Sequence, residues 1–361
     1  PVGIVGASGT GMQQVMCLLA QAGHGVSQAI GCGGRDLSAE VGGMTTLQGL
    51  HMLQEDARTR VIVLISKPPD PAVAEGVLTA AARGTKPVVA VFVGADPAIW
   101  QNNYGAHVYI ARTLTEAALM AGTLCESGVD DPPTTNQDNS TLTQTREAAL
   151  VEDQPATAQG KRNIPRTLAS GYAAASQSAS STRAGQPPYL AALFSGGTLC
   201  DEALHVWGAQ LGPLYSNIPL NPLWRWHNGS TRSGHYALDL GADEYTRGRP
   251  HPMIDPEARL RYLHAAANDP QTGVILLDIV LGYCSHPDPA AVYAPAIQAH
   301  LEQASQTGRR LNYVISLCGT EDDPQQLSRQ QAHLHSAGAE VYTSNAEAAL
   351  RCMELLAQAA V

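Results

Sequence analysis

The residues best suited to chemistry lie in a glycine-rich turn at positions 6–11, which reads Gly-Ala-Ser-Gly-Thr-Gly. A short apolar run precedes the turn, and apolar residues at positions 12, 15, 16 and 19 predict a helix after it. The first N–H groups of a helix have no partners within the helix, so the turn presents donors at the positive end of the helix dipole. The pattern predicts binding of a phosphate or carboxylate, and a tight connection without a ligand is the alternative. The residues that would bind the anion are Ser8, Gly9, Thr10 and Gly11.

A similar turn recurs in the second half of the chain. Residues 189–194 form another apolar run, and a helical pattern begins near Asp201. The recurrence predicts a second anion site of the same kind. Its residues are Ser195, Gly196, Gly197 and Thr198.

Charged side chains follow other predicted strands of the first half. Arg35 and Asp36 come directly after Gly33 and Gly34. We expect Arg35 to clamp a phosphate or carboxylate in a bidentate way, with Asp36 orienting it. An Arg–Asp ion pair that only closes the loop is the alternative.

Lys67 stands at the end of a fully apolar run and before two prolines. A fixed ammonium there would neutralise a dianionic substrate or a charge that develops during group transfer. A solvated strand end is the alternative.

A proline-stiffened loop in the second half carries Arg247, Arg249 and His251, and we expect Arg247 to bind the anion and Arg249 and His251 to take part in catalysis. His251 and Asp255 have the spacing of an orienting pair for acid–base catalysis, whereas packing of this loop on the second domain is the alternative. His227 and His235 lack the spacing of metal ligands, and we predict no metal site.

The surrounding pattern predicts the elements that position these residues. Strands alternate with helices over residues 1–126 and again over residues 189–361, which is typical of βαβ units in a parallel sheet. The carboxyl ends of such strands share one edge, so loops 6–11, 32–37 and 66–70 should converge on one crevice. We predict two related, doubly wound parallel-sheet α/β domains of flavodoxin-like type, the second with an insertion at 213–256 that has no counterpart.

Residues 127–188 differ in composition. They are rich in Ser, Thr, Gln, Ala and Pro and include the low-complexity run 176–182. Such a segment buries too little apolar surface to offset its ordering entropy, so we predict a long flexible linker.

Composition excludes several classes of protein. A net charge of −10 argues against general binding to nucleic acid or to anionic membranes. No apolar run reaches the roughly 20 residues that span a bilayer, and no charged-then-apolar signal precedes the first strand, so we expect a cytoplasmic protein. The seven scattered cysteines fit reduced core thiols better than disulfides or metal ligands. Pro1 stands where an initiator Met would be, which suggests a piece of a longer chain.

The motifs at residues 3–10, 33–43, 66–69 and 248–256 resemble those of the FdrA family, a branch of the succinyl-CoA synthetase α-subunit superfamily. The resemblance covers nearly the whole chain apart from the linker. It implies a subunit of oxamate carbamoyltransferase, which forms carbamoyl phosphate from oxalurate in allantoin catabolism together with partner subunits. It also implies that the family's additional CoA-binding-like N-terminal domain is missing here.

The wider superfamily implies a different reaction, nucleotide-dependent acyl-CoA ligation through an acyl phosphate and a phosphohistidine, with CoA and ATP or ADP bound. The Gly-His-Ala-Gly segment that carries that histidine is absent from residues 102–107, and Lys67 stands near the position of the supporting glutamate. A non-catalytic assembly subunit is a third alternative. In each case we expect a small carboxylate or phosphate substrate, partner subunits and a homo-oligomer.

Overall fold

The computed structural model describes residues 1–100, 104–127, 188–208, 210–226 and 234–359. The predicted linker, apart from its first and last residues, and His227 lie outside these ranges. Strands of the first half are β1 (Val2–Gly6), β2 (Val26–Gly31), β3 (Val61–Ser66), β4 (Val88–Phe92) and β5 (Val108–Ala111). Its helices are α1 (Gly9–Gln21), α2 (Met44–Glu55), α3 (Pro71–Ala82) and α4 (Leu114–Glu126).

The second half has six strands among the described residues. They are β6 (Tyr189–Phe194), β7 (Leu214–Ser216), β8 (His235–Asp239), β9 (Thr272–Val280), β10 (Asn312–Cys318) and β11 (Glu340–Tyr342). The helices are α5 (Gly197–Gly208), α6 (Asp243–Thr246), α7 (Glu257–Asn268), α8 (Pro289–Gln306), α9 (Leu327–Ser336) and α10 (Asn345–Ala359).

Both sheets are parallel and doubly wound, which confirms the predicted fold class. The first has the order β2-β1-β3-β4-β5 and the second β11-β10-β9-β6-β8-β7. The strand order reverses at β1 in one sheet and at β6 in the other. Ligands of such sheets bind outside the carboxyl ends of the strands at these switch points, and both glycine-rich turns lie there.

The predicted insertion without a counterpart is wrong in part. Within it, β8 pairs in parallel with β6 as β2 pairs with β1, so β8 is the missing equivalent of β2. Among the described strands of this segment, β7 alone has no counterpart in the first sheet, and it lies at the edge of the second sheet. The sequence pattern concealed this strand, because its apolar run, 236–238, is short and ends at Asp239.

The two halves share one apolar core. Helices α1 and α4 of the first half pack against α5 and α10 of the second, and one buried cluster contains residues from both sheets. At this boundary the Leu114 N–H at the start of α4 donates to Oε1 of the buried Glu202 on α5 at 2.8 Å. The halves therefore hold each other in a fixed arrangement, and this arrangement brings the two switch points together.

The structure also bears on the predictions for the cysteines and for membrane-spanning helices. Cys200, Cys318 and Cys352 are buried as predicted, whereas Cys284 is exposed. In the described part of the chain, every helix is too short or too polar to cross a bilayer.

Candidate active site: an anion-binding cleft between two glycine-rich turns

The two glycine-rich turns face each other across the boundary between the halves. Ser8 Oγ donates a hydrogen bond to Thr198 Oγ1 at 2.6 Å, although the two residues are 190 positions apart. The same Ser8 Oγ accepts the Gly11 N–H at 3.0 Å and so caps α1. A methyl group added at Gly196 would lie 2.7 Å from Thr10 Cγ2, so only glycine allows this approach. The amino termini of α1 and α5 thus point into the same space.

That space is a cleft of about 490 Å³. Three loops of the first half line it, as predicted, and two segments of the second half complete it. The lining residues are Gly6, Ala7, Ser8, Gly9, Thr10, Met12, Gly31, Gly33, Gly34, Lys67, Ser195, Gly196, Gly197, Thr198, Asp239, Gly241 and His251.

The first turn keeps backbone donors available for a ligand. Within the described ranges, no hydrogen bond uses the N–H of Gly9 or Thr10. A methyl group added at Gly9 would have no atom within 4 Å, so the space in front of this turn is open. The geometry therefore suits an oxyanion at the start of α1.

The second turn differs because the protein fills it with its own carboxylate. Asp278 Oδ1 accepts the Ser195 N–H at 2.7 Å and the Ser195 hydroxyl at 2.9 Å, and Oδ2 accepts the Gly196 N–H at 2.9 Å. The prediction that the amides of Ser195 and Gly196 bind a ligand is therefore wrong. Gly197 and Thr198 still line the cleft.

The charge of Asp278 is balanced inside the protein. Arg259 Nη2 lies 2.9 Å from Asp278 Oδ1, and both side chains are almost completely buried. The same guanidinium donates to the Leu193 carbonyl at 2.9 Å, one residue before the end of β6. This ion pair fixes the second turn and, with it, the start of α5.

Lys67 lies in the cleft beside two buried carboxylates. A methyl group added at Gly197 would be 3.0 Å from Lys67 Nζ and 2.5 Å from Asp239 Oδ2. Burial raises the pKa of Asp239 to about 6, and the positive charge of Lys67 opposes this rise. Asp201 on α5 behaves in the same way, with burial raising its pKa to about 6 against the charge of Lys67. The lysine is thus the positive group around which these acids are arranged.

His251 lines the cleft, but its predicted partner is wrong. Its Nδ1 accepts the Met253 N–H at 3.3 Å, so a neutral ring carries its proton on Nε2. The carboxylate of Asp255 instead accepts the Glu257 N–H at 3.0 Å. Burial lowers the pKa of His251, which favours the neutral ring.

The predicted orienting role of Asp36 is also wrong, whereas anion binding by Arg35 stays a prediction. Asp36 is buried and accepts the N–H groups of Thr45 and Thr46 at 3.1 and 2.9 Å and the Thr46 hydroxyl at 2.7 Å, so it caps α2. Among the described residues, Asp36 and Arg35 form no ion pair. Arg35 is exposed and does not line the cleft.

Arg247 and Arg249 are likewise exposed and outside the lining of the cleft. The structure brings Lys67, His251 and the first turn together, and it leaves all three predicted arginines at the surface.

Sequence reasoning missed the acids of the site. Asp278 interrupts the apolar run of β9, and a charged residue inside such a run is the signal that would have indicated a buried partner. Asp239 ends β8, a strand that the sequence pattern did not reveal. Arg259 gave no signal, since its helix is amphipathic and rich in charge.

Comparison with known families assigns both halves. Residues 1–94 match the CoA-binding domain family, and residues 193–354 match the CoA-ligase family. The expectation that a CoA-binding-like domain is missing from this chain is therefore wrong. The chain is also similar to YahF, an uncharacterised protein of Escherichia coli (strain K12), with 38% identity over 357 residues. The match covers 98% of this chain and 62% of YahF.

Solved structures give only distant likenesses. One is an acetyl-coenzyme A synthetase of Ca. Korarchaeum cryptofilum in complex with phosphate and ADP, with 12% identity and a TM-score of 0.30. The match covers 99% of this chain and 65% of the synthetase chain. An ATP citrate lyase of Methanosaeta concilii in complex with (3S)-citryl-CoA has 10% identity and a TM-score of 0.29, covering 100% of this chain and 51% of its own. Such scores carry no argument about the substrate. The two family matches thus place a CoA-binding domain at residues 1–94 and a CoA-ligase domain at residues 193–354, each covering less than half of the chain.

Proposed function

We propose that the chain is part of an acid–thiol ligase of the acyl-CoA synthetase type, whose cleft binds the phosphoryl group of an acyl phosphate. The observation that carries this proposal is the meeting of the α1 and α5 amino termini beside Lys67. Donors and dipoles fixed in this way stabilise charge without reorganising when it develops. The proposal agrees with the two domain families that the chain contains.

The residues of the cleft have distinct tasks in this proposal. The N–H groups of Gly9 and Thr10 bind phosphoryl oxygens, and the ammonium of Lys67 neutralises their charge. His251 presents Nε2–H as a further donor. Asp278 and Arg259 do not bind the ligand in this proposal. They hold the second turn and the start of α5 in place.

CoA and ATP or ADP are the ligands that such a reaction requires. The cleft fits an anionic phosphate group, because Lys67 lines it and no hydrogen bond among the described residues uses the N–H groups of Gly9 and Thr10. When bound, CoA would supply the thiol that receives the acyl group. We assign the recognition of a phosphate group of either ligand to the first turn, and the acyl-acceptor chemistry to CoA itself.

Carbamoyl transfer from oxalurate to phosphate is a related proposal. Carbamoyl phosphate carries the same phosphoryl group, so the anion-binding geometry fits it equally well. The CoA-binding and CoA-ligase matches favour ligation over this reaction. Partner subunits and a homo-oligomer are part of either proposal, and a non-catalytic assembly role is the remaining alternative.

The test is an assay of the full-length protein that contains this chain, purified with its co-purifying subunits. Acyl-CoA formation from ATP, CoA and a panel of short carboxylic acids is measured by chromatography, alongside carbamoyl phosphate formation from oxalurate and phosphate. We expect acyl-CoA, and we expect Lys67→Met to lower kcat/KM by about 100-fold or more, the effect of losing one fixed charge-stabilising donor.

The matched control is Arg310→Ala, which removes an exposed cation just before β10, at the opposite edge of the sheet. It should leave the rate unchanged. Formation of carbamoyl phosphate without acyl-CoA would contradict ligation and support carbamoyl transfer. Equal activity of Lys67→Met and wild type would show that the cleft takes no part in the reaction.

A further inference from the structure

Asp239 occupies a position in the cleft that its charge does not favour. Its side chain is only 7% exposed, and Oδ2 lies where a methyl at Gly197 would be 2.5 Å away. Gly197 is the first residue of α5, so this carboxylate stands at the helix end where a bound anion would also lie. An anion in the cleft therefore approaches a second negative charge.

Hydrogen bonds hold Asp239 in place, and those of the described residues use its backbone and its Oδ1 but not its Oδ2. Oδ1 accepts the Gly241 N–H at 3.0 Å. The backbone of Asp239 exchanges two hydrogen bonds with the Asn217 side chain, at 2.9 and 3.0 Å. The Gly241 N–H holds the carboxylate beside the cleft, so a proton on Oδ2 would relieve the repulsion when a ligand enters.

Charged groups from several elements face Asp239. Lys67, after β3, favours its ionised form, whereas Asp278 of β9 and Glu244 of α6 disfavour it. Asp201 of α5 lies close by, since both acids act on the buried Cys200 thiol. Two other groups near Lys67 are able to take up a proton: His251, which lines the same cleft, and Asp201, whose pKa burial raises to about 6.

We propose that Asp239 binds a proton on Oδ2 when an anion binds at the helix amino termini, and that the protonated carboxyl donates a hydrogen bond to the anion. The proton comes from the solvent, and no covalent bond other than O–H forms. This inference rests on the proposed anion site and adds that the site binds its anion together with one proton.

The physical reason is the balance around Lys67. Lys67 partly compensates the charges of Asp239 and Asp201. A bound anion draws on the same ammonium and adds a like charge near Asp239, and each effect disfavours the ionised carboxylate. Since burial has already raised the pKa of Asp239 to about 6, a modest further rise protonates it at neutral pH.

The experiment is isothermal titration calorimetry of the chain with sulfate, an anion that stays fully ionised near neutrality and so exchanges no proton itself. Titrations at pH 7 and constant ionic strength in buffers of different ionisation enthalpy give the number of protons taken up. From a pKa of about 6, a like-charge shift of one to two pKa units gives an uptake of about 0.4 to 0.8 proton per sulfate at pH 7, which is the result expected for wild type. Asp239→Asn keeps the size and both hydrogen-bonding atoms, and melting temperatures verify its fold.

The outcomes separate this inference from the proposed site. Asp239→Asn should bind sulfate at least as tightly as wild type while the proton uptake disappears, and the control Glu302→Gln, which replaces an exposed acid on α8, should keep the uptake. Sulfate binding without uptake in wild type would overturn the assignment to Asp239, and so would uptake that persists in Asp239→Asn, whether it is then lost in His251→Gln or in Asp201→Asn. Failure of wild type to bind sulfate would overturn the anion site and this inference with it.

Discussion

Replacing Asp201 by Asn is expected to stabilise the protein at alkaline pH. Asp201 is 8% exposed, its Oδ2 has no hydrogen-bond partner among the described residues, and Oδ1 lies 3.8 Å from His205 Nε2. Burial therefore raises its pKa from the ordinary 3.8 to about 6, which means that ionisation opposes folding.

The magnitude follows from this shift. Below pH 3.8 the carboxyl is protonated in both the folded and the unfolded chain, and it gives no disadvantage. Above pH 3.8 the unfolded chain ionises while the folded protein still holds the proton, so stability is lost between pH 3.8 and about 6, and the full loss is present above pH 6. At 1.36 kcal/mol per pKa unit, the loss is about 3 kcal/mol at pH 8 and about half of that at pH 5. Asn carries no charge, so the variant does not undergo this loss of stability.

The assay is urea unfolding of wild type and Asp201→Asn at pH 5 and pH 8. The stability advantage of the variant should be larger at pH 8 by about 1.5 kcal/mol. Asp243→Asn, an exposed replacement on α6, serves as the control and should change the free energy of unfolding by less than about 0.5 kcal/mol at both pH values. An Asp201 variant that is less stable than wild type at pH 8, or an advantage independent of pH, would refute the reasoning.

Two other substitutions test the supports of the cleft. Asp278→Ala leaves Arg259 buried without its counter-ion and should lower the free energy of unfolding by about 3–5 kcal/mol, measured by urea denaturation; a loss below about 1 kcal/mol would show that the pair is dispensable. Gly11→Ala would place a methyl 2.5 Å from Ser8 Oγ and should lower the melting temperature, whereas Gly9→Ala meets no atom within 4 Å and should not. Equal melting temperatures of the two alanine variants would contradict the capping geometry.

The sequence predicts most of the fold but only part of the site. Parallel βαβ units follow from the alternation of apolar runs and helical patterns, and the convergence of three loops on a crevice follows from the parallel order alone. Asp70 and Asp288 are likewise readable, since each precedes a proline at a helix start and caps that helix.

The errors have a common physical cause, which is that local spacing does not reveal distant partners. Asp36 next to Arg35 suggested an ion pair, but its carboxylate is used by the first turn of α2, ten residues later. The second glycine turn resembled the first, yet its amides bind Asp278, which lies 83 residues away. Whether a turn is open or already filled depends on tertiary packing, so the two turns differed only once the structure was known.

The most direct test of the account is a crystal structure of the chain grown with inorganic phosphate. We predict phosphate at the first turn, within hydrogen-bond distance of the Gly9 and Thr10 N–H groups and of Lys67 Nζ, and none at the amides of Ser195 and Gly196, which Asp278 occupies. Phosphate bound only at the exposed Arg247 and Arg249, with an empty cleft, would contradict the central claim.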